Sequence, residues 1–414
     1  MNFGLLLVQI IVILALCRAL RVVTSWIGQP PVIGEIVAGL MLGPSLFGWL
    51  APEWYAQLFP LASLPALNAL SQIGLVIFMF LVGLRLDLSE LYQVRSAAST
   101  TALLSIIIPF SAGIALAQAL YAFVPASTPR LAFSLFVGVS MSITAFPVLA
   151  RILADRGMTE TKLGHMAIAC AAFDDVTAWT MLACVTAMVT SRWSTNLAAS
   201  AAFLAVYIVA MAMAGRPLLK RLVQNFGKTG DLSLILIVVF LSAWCSEFAG
   251  IHALFGAFFA GVVTPHTGKV AENLSRGLEP LVMTALLPLF FSYTGIRTNI
   301  GLLGPGLWLW TFAIIAVAVS GKIGGAFAGA TLMGLGRRES FALGALLNTR
   351  GLVELVVLNV GLDIGILTPA LFTMLVIMAL TTTLMTAPLV QWILAGSETA
   401  AAGASRARSG PPSG

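Results

Sequence analysis

Two adjacent carboxylates, Asp174 and Asp175, stand in the middle of the apolar run MAIACAAFDDVTAWTMLACV that begins at Met166. An ionisable group at bilayer depth costs at least ~2.5 kcal/mol on the most lenient scale, so an adjacent pair points to a protein-lined site for protons or cations. Lys322 lies alone in the apolar run from Ala316 to Gly329 and needs a counter-charge or a depressed pKa to be tolerated there. One of the two aspartates is its natural partner. Neighbouring residues on a helix point about 100° apart, so the two carboxylates face different surroundings and hold different jobs. Arg350 and Glu354 are spaced i, i+4 and can pair along one helix, which leaves a structural and a direct ionic role both open. Glu35 follows Pro30-Pro31 near one end of an apolar run and reads as a packing contact, with a place in an ion pathway as the alternative.

The elements that carry these charges are membrane helices. Hydrophobic residues make up 59% of the 414 residues, charged residues 9%, and the mean hydropathy is +1.00. Runs of about 20 apolar residues favour spanning helices over a β-barrel. The expected fold is an all-α polytopic membrane protein with about thirteen spans, at 3–22, 31–49, 66–84, 98–122, 131–150, 162–190, 195–215, 230–248, 250–265, 278–296, 305–333, 340–361 and 367–394. The first run has neither the basic start nor the cleavage site of a signal peptide and is expected to stay as a span. Of the 22 Lys and Arg, only Arg130, Arg192 and Arg297 fall on the outer side and Lys322 and Arg350 within spans; the rest collect on the inner side. That asymmetry puts the amino terminus outside and the carboxyl terminus inside. The net charge of +6 follows from this orientation and calls for no nucleic acid. Residues 397–414, rich in Ala, Gly, Ser and Pro, are expected to form a short disordered tail.

Gly83-Leu84-Arg85 closes the third span and Gly295-Ile296-Arg297 the tenth, at opposite faces of the membrane. Gly34 to Gly39 in the second span echoes Gly256 to Gly261 in the ninth. These matches predict two inverted six-helix repeats, about 3–190 and 230–394, joined by a linker helix at 195–215. Close packing through small residues also accounts for the second pair. Inverted repeats of this kind place discontinuous helices in corresponding positions. The fifth span carries Ser140 to Pro147, where the proline clashes with the carbonyl of Ile143, and the twelfth carries Asn348, Thr349 and Arg350. Half-helix ends meeting there offer carbonyls and dipole ends to a cation.

His165, His252 and His266 are too scattered for a metal site, and Cys17, Cys170, Cys184 and Cys245 read as small packing residues. No phosphate-binding glycine loop and no Ser/His/Asp arrangement is present, so neither catalysis nor a cofactor is expected.

The strings QPPVIGEIVAGLMLGPS from Gln29, FLVGLRLD from Phe80, SITAFPVLARIL from Ser142, FDDVTAW from Phe173 and NTRGLVELVVLN from Asn348 resemble the monovalent cation:proton antiporter-2 family, most of all its plant-type exchangers and their bacterial relatives. The resemblance runs from about Val8 to Leu394. It implies crossed discontinuous helices in a mobile core domain beside a scaffold domain, a homodimer, and multi-pass residence in the cell membrane, here a bacterial inner membrane. It implies that Asp175 binds the ion, that Lys322 pairs with Asp174, that Thr144 and Pro147 with Asn348 and Thr349 form the crossover, and that Arg350 and Glu354 compensate charge. The cytosolic nucleotide-binding module and the long tail of some relatives are not in this sequence, so regulation by those routes is not expected. The implied activity is exchange of Na⁺ or K⁺ for protons by alternating access, with proton and cation competing for one carboxylate. A passive cation channel or an organic-solute exporter on the same fold is the alternative.

Overall fold

A computed structural model of the chain describes residues 3–85, 96–190, 205–206, 209, 211–215, 217, 221, 232–248, 252–264 and 270–408. With no water at lipid depth to satisfy exposed peptide groups, a chain this apolar must close its backbone hydrogen bonds within helices. The first half holds α1 (Phe3–Trp26), α2 (Pro31–Leu42), α3 (Leu64–Leu84), α4 (Ser96–Leu120), α5 (Arg130–Ser142), α6 (Phe146–Asp155) and α7 (Lys162–Thr190). The second holds α8 (Leu232–Phe248), α9 (Ala253–Val263), α10 (Val270–Leu281), α11 (Leu287–Arg297), α12 (Pro305–Leu332), α13 (Arg337–Leu347), α14 (Leu352–Asp363) and α15 (Pro369–Arg408). Prolines stand in the first turn of α2, α3, α11 and α12, where the missing N–H is one the helix could not use.

Among the described residues nine stretches are long and apolar enough to cross a membrane, and α13 with α14 makes a further one bent by 45°. The shorter α8 and α9 are apolar as well. The expected seventh span at 195–215 lies almost wholly outside the described residues, as do Asp87, Arg95, Arg192, Lys220, Lys228, Lys269 and His266. The backbone of α15 is helical as far as Arg408, into the stretch expected to be a disordered tail. Alanine dominates that stretch and favours helix. Cys17 and Cys170 are buried packing residues, whereas Cys245 is exposed on α8 among apolar neighbours.

Contacts recur when the two halves are exchanged. As α1 packs on α2, so α8 packs on α9; α2 meets α11 as α9 meets α3; α4 meets α5 as α12 meets α13; α6 meets α7 as α14 meets α15. The pairing divides the molecule into a scaffold of α1–α3 and α8–α11 and a core of α4–α7 and α12–α15, with α4 and α12 packed on each other. The glycine echoes sit at the tightest crossings. A Cβ on Gly39 would collide with the backbone of Ser292 and one on Gly295 with Gly39; at the corresponding crossing of α3 with α9, Gly83 and Gly261 would meet the backbones of Phe258 and Phe80. Repeat symmetry and close packing are thus one feature, since the inverted halves need the same small residues where their helices cross.

Both fifth-span positions are interrupted, and the first break has a different cause from the one expected. Pro147 does not displace Ile143 from a continuous helix: α5 stops at Ser142, Ile143 and Ala145 are extended, and Pro147 lies in the first turn of α6, which it helps to start.

Gly39→Val should lower the melting temperature of the detergent-purified protein, through overpacking of ~1–3 kcal/mol. Gly324→Ala, on a face with nothing within 4 Å of the new Cβ, should not. Equal melting of the two variants would show that the α2–α11 approach is not required.

Candidate functional site

Where two helices stop at lipid depth, four ends expose peptide groups that must be satisfied by protein. The breaks cross and supply each other. Thr144 Oγ1 donates to the carbonyl of Leu347 at 2.8 Å and the N–H of Ala145 to that of Thr349 at 2.9 Å. Thr349 Oγ1 donates to Leu346 O at 2.6 Å, and Thr383 of α15 donates to Arg350 O at 2.7 Å. Gly351 enters α14 at φ +155°, a conformation L side chains rarely adopt.

The carbonyl end of α5 receives two buried cations. Arg350 donates from Nη1 to Ser140 O and from Nη2 to Met141 O at 2.6 Å, while Lys322 donates to Ser142 O and, at 3.1 Å, to Ser105 O of α4. Cations are favoured at this negative end of a helix dipole. Glu354, in the first turn of α14, accepts from Arg350 at 3.2 Å and from the Ser140 hydroxyl. The expected Arg350–Glu354 pair is therefore present, but Arg350 sits in the break before α14 and spends two of its donors on the opposite half-helix.

Against this crossing lies α7, unbroken, with Asp174 and Asp175 near its middle and both buried. Asp174 Oδ2 is 2.5 Å from Lys322 Nζ, the pairing expected from their isolation in apolar runs. Asp175 points elsewhere and forms no ion pair among the described residues. The backbone N–H of Phe146, at the positive end of α6, faces its carboxylate, and its Oδ1 has no partner. Asn348 in the second break is fully buried with both Oδ1 and Nδ2 unpartnered. Thr144, Asn348, Thr349, Arg350, Glu354, Lys322 and the two aspartates thus converge. The carbonyls of Ser105, Ser140, Met141 and Ser142 were not foreseen, since backbone oxygens carry no residue-type signal, and neither was the hydroxyl of Thr383, one of several threonines in its apolar run.

Among the described residues the two sides differ. A cleft of about 380 Å³ between scaffold and core is lined by Arg21, Glu35, Arg85, Pro147 and Leu352 and reaches Phe146, the residue whose N–H faces Asp175. Glu35 is paired with Arg21 there, its side chain 5% exposed against 39% for the arginine, so it lines the approach as well as packing. On the other side Trp179, one turn from Asp175, stacks on Phe258 of the scaffold with ring centroids 6.1 Å apart. Beyond that stack lies a void of only about 10 Å³ beside Thr186 and His252.

A family model described as sodium/hydrogen exchanger, transmembrane, matches residues 11–396. The chain is 43% identical over 394 residues to the Na⁺/H⁺ antiporter NhaS4 of Synechocystis sp., covering 93% of this chain and 96% of that protein. It is 38% identical to cation/H⁺ antiporter 20 of Arabidopsis thaliana and 33% identical to K⁺/H⁺ antiporter 1 of Saccharomyces cerevisiae, over 94% of this chain in each case but 48% and 46% of those proteins. The chain therefore spans about half the length of the plant and yeast relatives. The structure of the sodium proton antiporter MjNhaP1 from Methanocaldococcus jannaschii superposes with a TM-score of 0.70, covering 96% of this chain and 98% of that one at 14% identity, a likeness of fold.

Lys322→Gln should destabilise the purified protein strongly, because removing one partner of a buried pair typically costs ~3–5 kcal/mol. Adding Asp174→Asn should recover much of the loss in a thermal melt. A double variant no more stable than Lys322→Gln alone would mean that the uncompensated carboxylate is not the cause.

Proposed function

The chain belongs to the transmembrane sodium/hydrogen exchanger family, and from that premise we propose that it exchanges Na⁺ or K⁺ for protons across a membrane by alternating access, with Asp175 as the shared site. The observation that carries this reading is a buried carboxylate, free of any described ion pair, that faces the N–H of Phe146, a residue lining the cleft between scaffold and core. One carboxylate holds a proton or a cation, never both, so competition supplies the coupling. Asp174 cannot take that role while Lys322 neutralises it. If Lys322 also gives up a proton when the cation enters, two protons move per cation and transport is electrogenic. Asn348, buried with free donors and acceptors beside the crossing, and the Thr144 and Thr349 break offer further oxygens to a desolvated ion.

The excess of basic residues at the cleft end, among them Arg21, Arg85 and Arg151, supports a cytoplasmic cleft and hence an inward-open conformation. Residence in a bacterial inner membrane, as a homodimer, belongs to the same reading. A passive channel needs a continuous wet path, which the Trp179–Phe258 stack does not offer.

Proteoliposomes offered Na⁺, K⁺ and Li⁺ in turn should move protons against at least one of the first two, with saturation. Asp175→Asn, which cannot exchange a proton, should abolish that movement while the protein still inserts. Retained exchange would remove Asp175 from the centre of the mechanism.

Competition also fixes a pH dependence. Below the carboxylate's pKa the cation concentration for half-maximal exchange should rise about tenfold per unit of acidification, and above it reach a plateau. The maximal rate should change much less. A half-maximal concentration that stays flat from alkaline to acidic pH would defeat the shared site.

A further inference from the structure

At the closed end the two bodies are joined by an ion pair. Arg297, the last residue of α11 in the scaffold, donates from Nη2 to Asp363 Oδ1 at 2.6 Å and from Nη1 to Asn359 Oδ1 at 3.1 Å, both on α14 of the core. Asn359 returns a bond to Thr294 Oγ1 of α11 at 2.7 Å, so the contact runs in both directions. The guanidinium also lies over the rings of Tyr293 and Phe372, 5.4 and 5.9 Å from their centroids. With side chains 19% and 30% exposed, the pair sits at the edge of water, where screening leaves it weak enough to open. Asp363 is the last residue of α14, and a carboxylate there faces the negative end of its own helix dipole. Its own helix gives no reason for its place; Arg297 does.

The same parts stand at the cleft end, unjoined. The repeat that matches Gly295-Ile296-Arg297 to Gly83-Leu84-Arg85 sets Arg85 at the end of α3, and α6, the counterpart of α14, also ends on an aspartate, Asp155. Arg85 is held within the scaffold by Glu279 at 2.5 Å, and Asp155 within the core by Arg151 at 3.0 Å. Arg85 and Arg151 line the open cleft between them. Inverted halves exchange conformations when a transporter switches sides, so a contact made by one half in this state is expected of the other half in the opposite state.

We propose that Arg297–Asp363 and Arg85–Asp155 are alternating clasps, the first holding the closed end shut while the cleft is open, the second forming when the cleft closes and the other end opens. The proposal rests on the alternating-access reading above. It gives two residue pairs remote from the ion site a part in setting which side that site faces. Because such a clasp biases a two-state equilibrium, losing one shifts the population toward the opposite state by the difference it made between them.

The test reads accessibility without any ion flux, so it can fail independently of the exchange reading. In a background with Cys17, Cys170, Cys184 and Cys245 replaced, Thr186→Cys places a thiol in the narrow void beyond Trp179. Asp363→Asn should raise its labelling rate by a membrane-impermeant maleimide by up to about fivefold, the most that a screened pair of this kind contributes. The charge-reversed pair Arg297→Asp with Asp363→Arg should return the rate toward its starting value, which a merely damaged fold would not do. An Arg85→Cys, Asp155→Cys pair should form a disulfide under mild oxidation more readily when Asp363→Asn is present. Unchanged labelling in Asp363→Asn, or no rescue by the reversed pair, would overturn the first clasp. Cross-linking of 85 and 155 indifferent to Asp363→Asn would overturn the second.

Discussion

Two helices that stop in the middle of a membrane leave carbonyls with no water to accept from, and each unsatisfied group costs several kcal/mol there. The rest of the site follows from how the α5 end is compensated. Lys322 and Arg350 are both drawn to the carbonyls of Ser140 to Ser142. Two cations buried together need anions, so Asp174 is committed to Lys322 and Glu354 to Arg350. Asp175 is the carboxylate left over, and the positive end of α6 gives it a place to sit. A structural necessity, the capping of a broken helix, thereby leaves one carboxylate of the core without a described ion pair, which is the basis of the role proposed for it.

The same crossing accounts for the division into two bodies. Both breaks, and α7 behind them, belong to the core, while the cleft that approaches Asp175 is walled on its other side by the scaffold. Glycines at 39, 83, 261 and 295 let the scaffold helices close on one another to backbone contact. The core helices close in the same way at Gly325 and Gly329, where a Cβ would meet the backbones of Leu104 and Thr101, and are tied further by buried charge and by hydrogen bonds between the breaks. Each body has its own cohesion, and what lies between them is a cleft at one end and a ring stack with a partly exposed ion pair at the other. A boundary of that kind can slide without unmaking either body.

Much of this was legible in the residues because charge at lipid depth is so costly that its placement is rarely neutral. Asp174, Asp175, Lys322, Arg350 and Glu354 stood out for that reason, and the pairing of Lys322 with an aspartate followed from the need to neutralise both. The glycine echoes exposed the repeat because inverted halves reuse the same close crossings. Pro147 misled as to mechanism: a proline reads as a kink, while here the helix had already ended and the proline begins the next. Backbone acceptors such as Ser142 O and Ser105 O were invisible because every residue type has a carbonyl. Arg297 was read for its side of the membrane alone, since a cross-body partner 66 positions away leaves no periodic trace.

In the proposed mechanism proton and cation occupy one carboxylate by turns. Proton release on ion binding, measured by calorimetry of the detergent-purified protein in two buffers of different ionisation enthalpy, tests it without any transport step. Titration with Na⁺ or K⁺ near the midpoint pH should release protons in proportion to cation bound, and Asp175→Asn should release none. Cation binding by the native protein with no proton released across the pH range would contradict the mechanism.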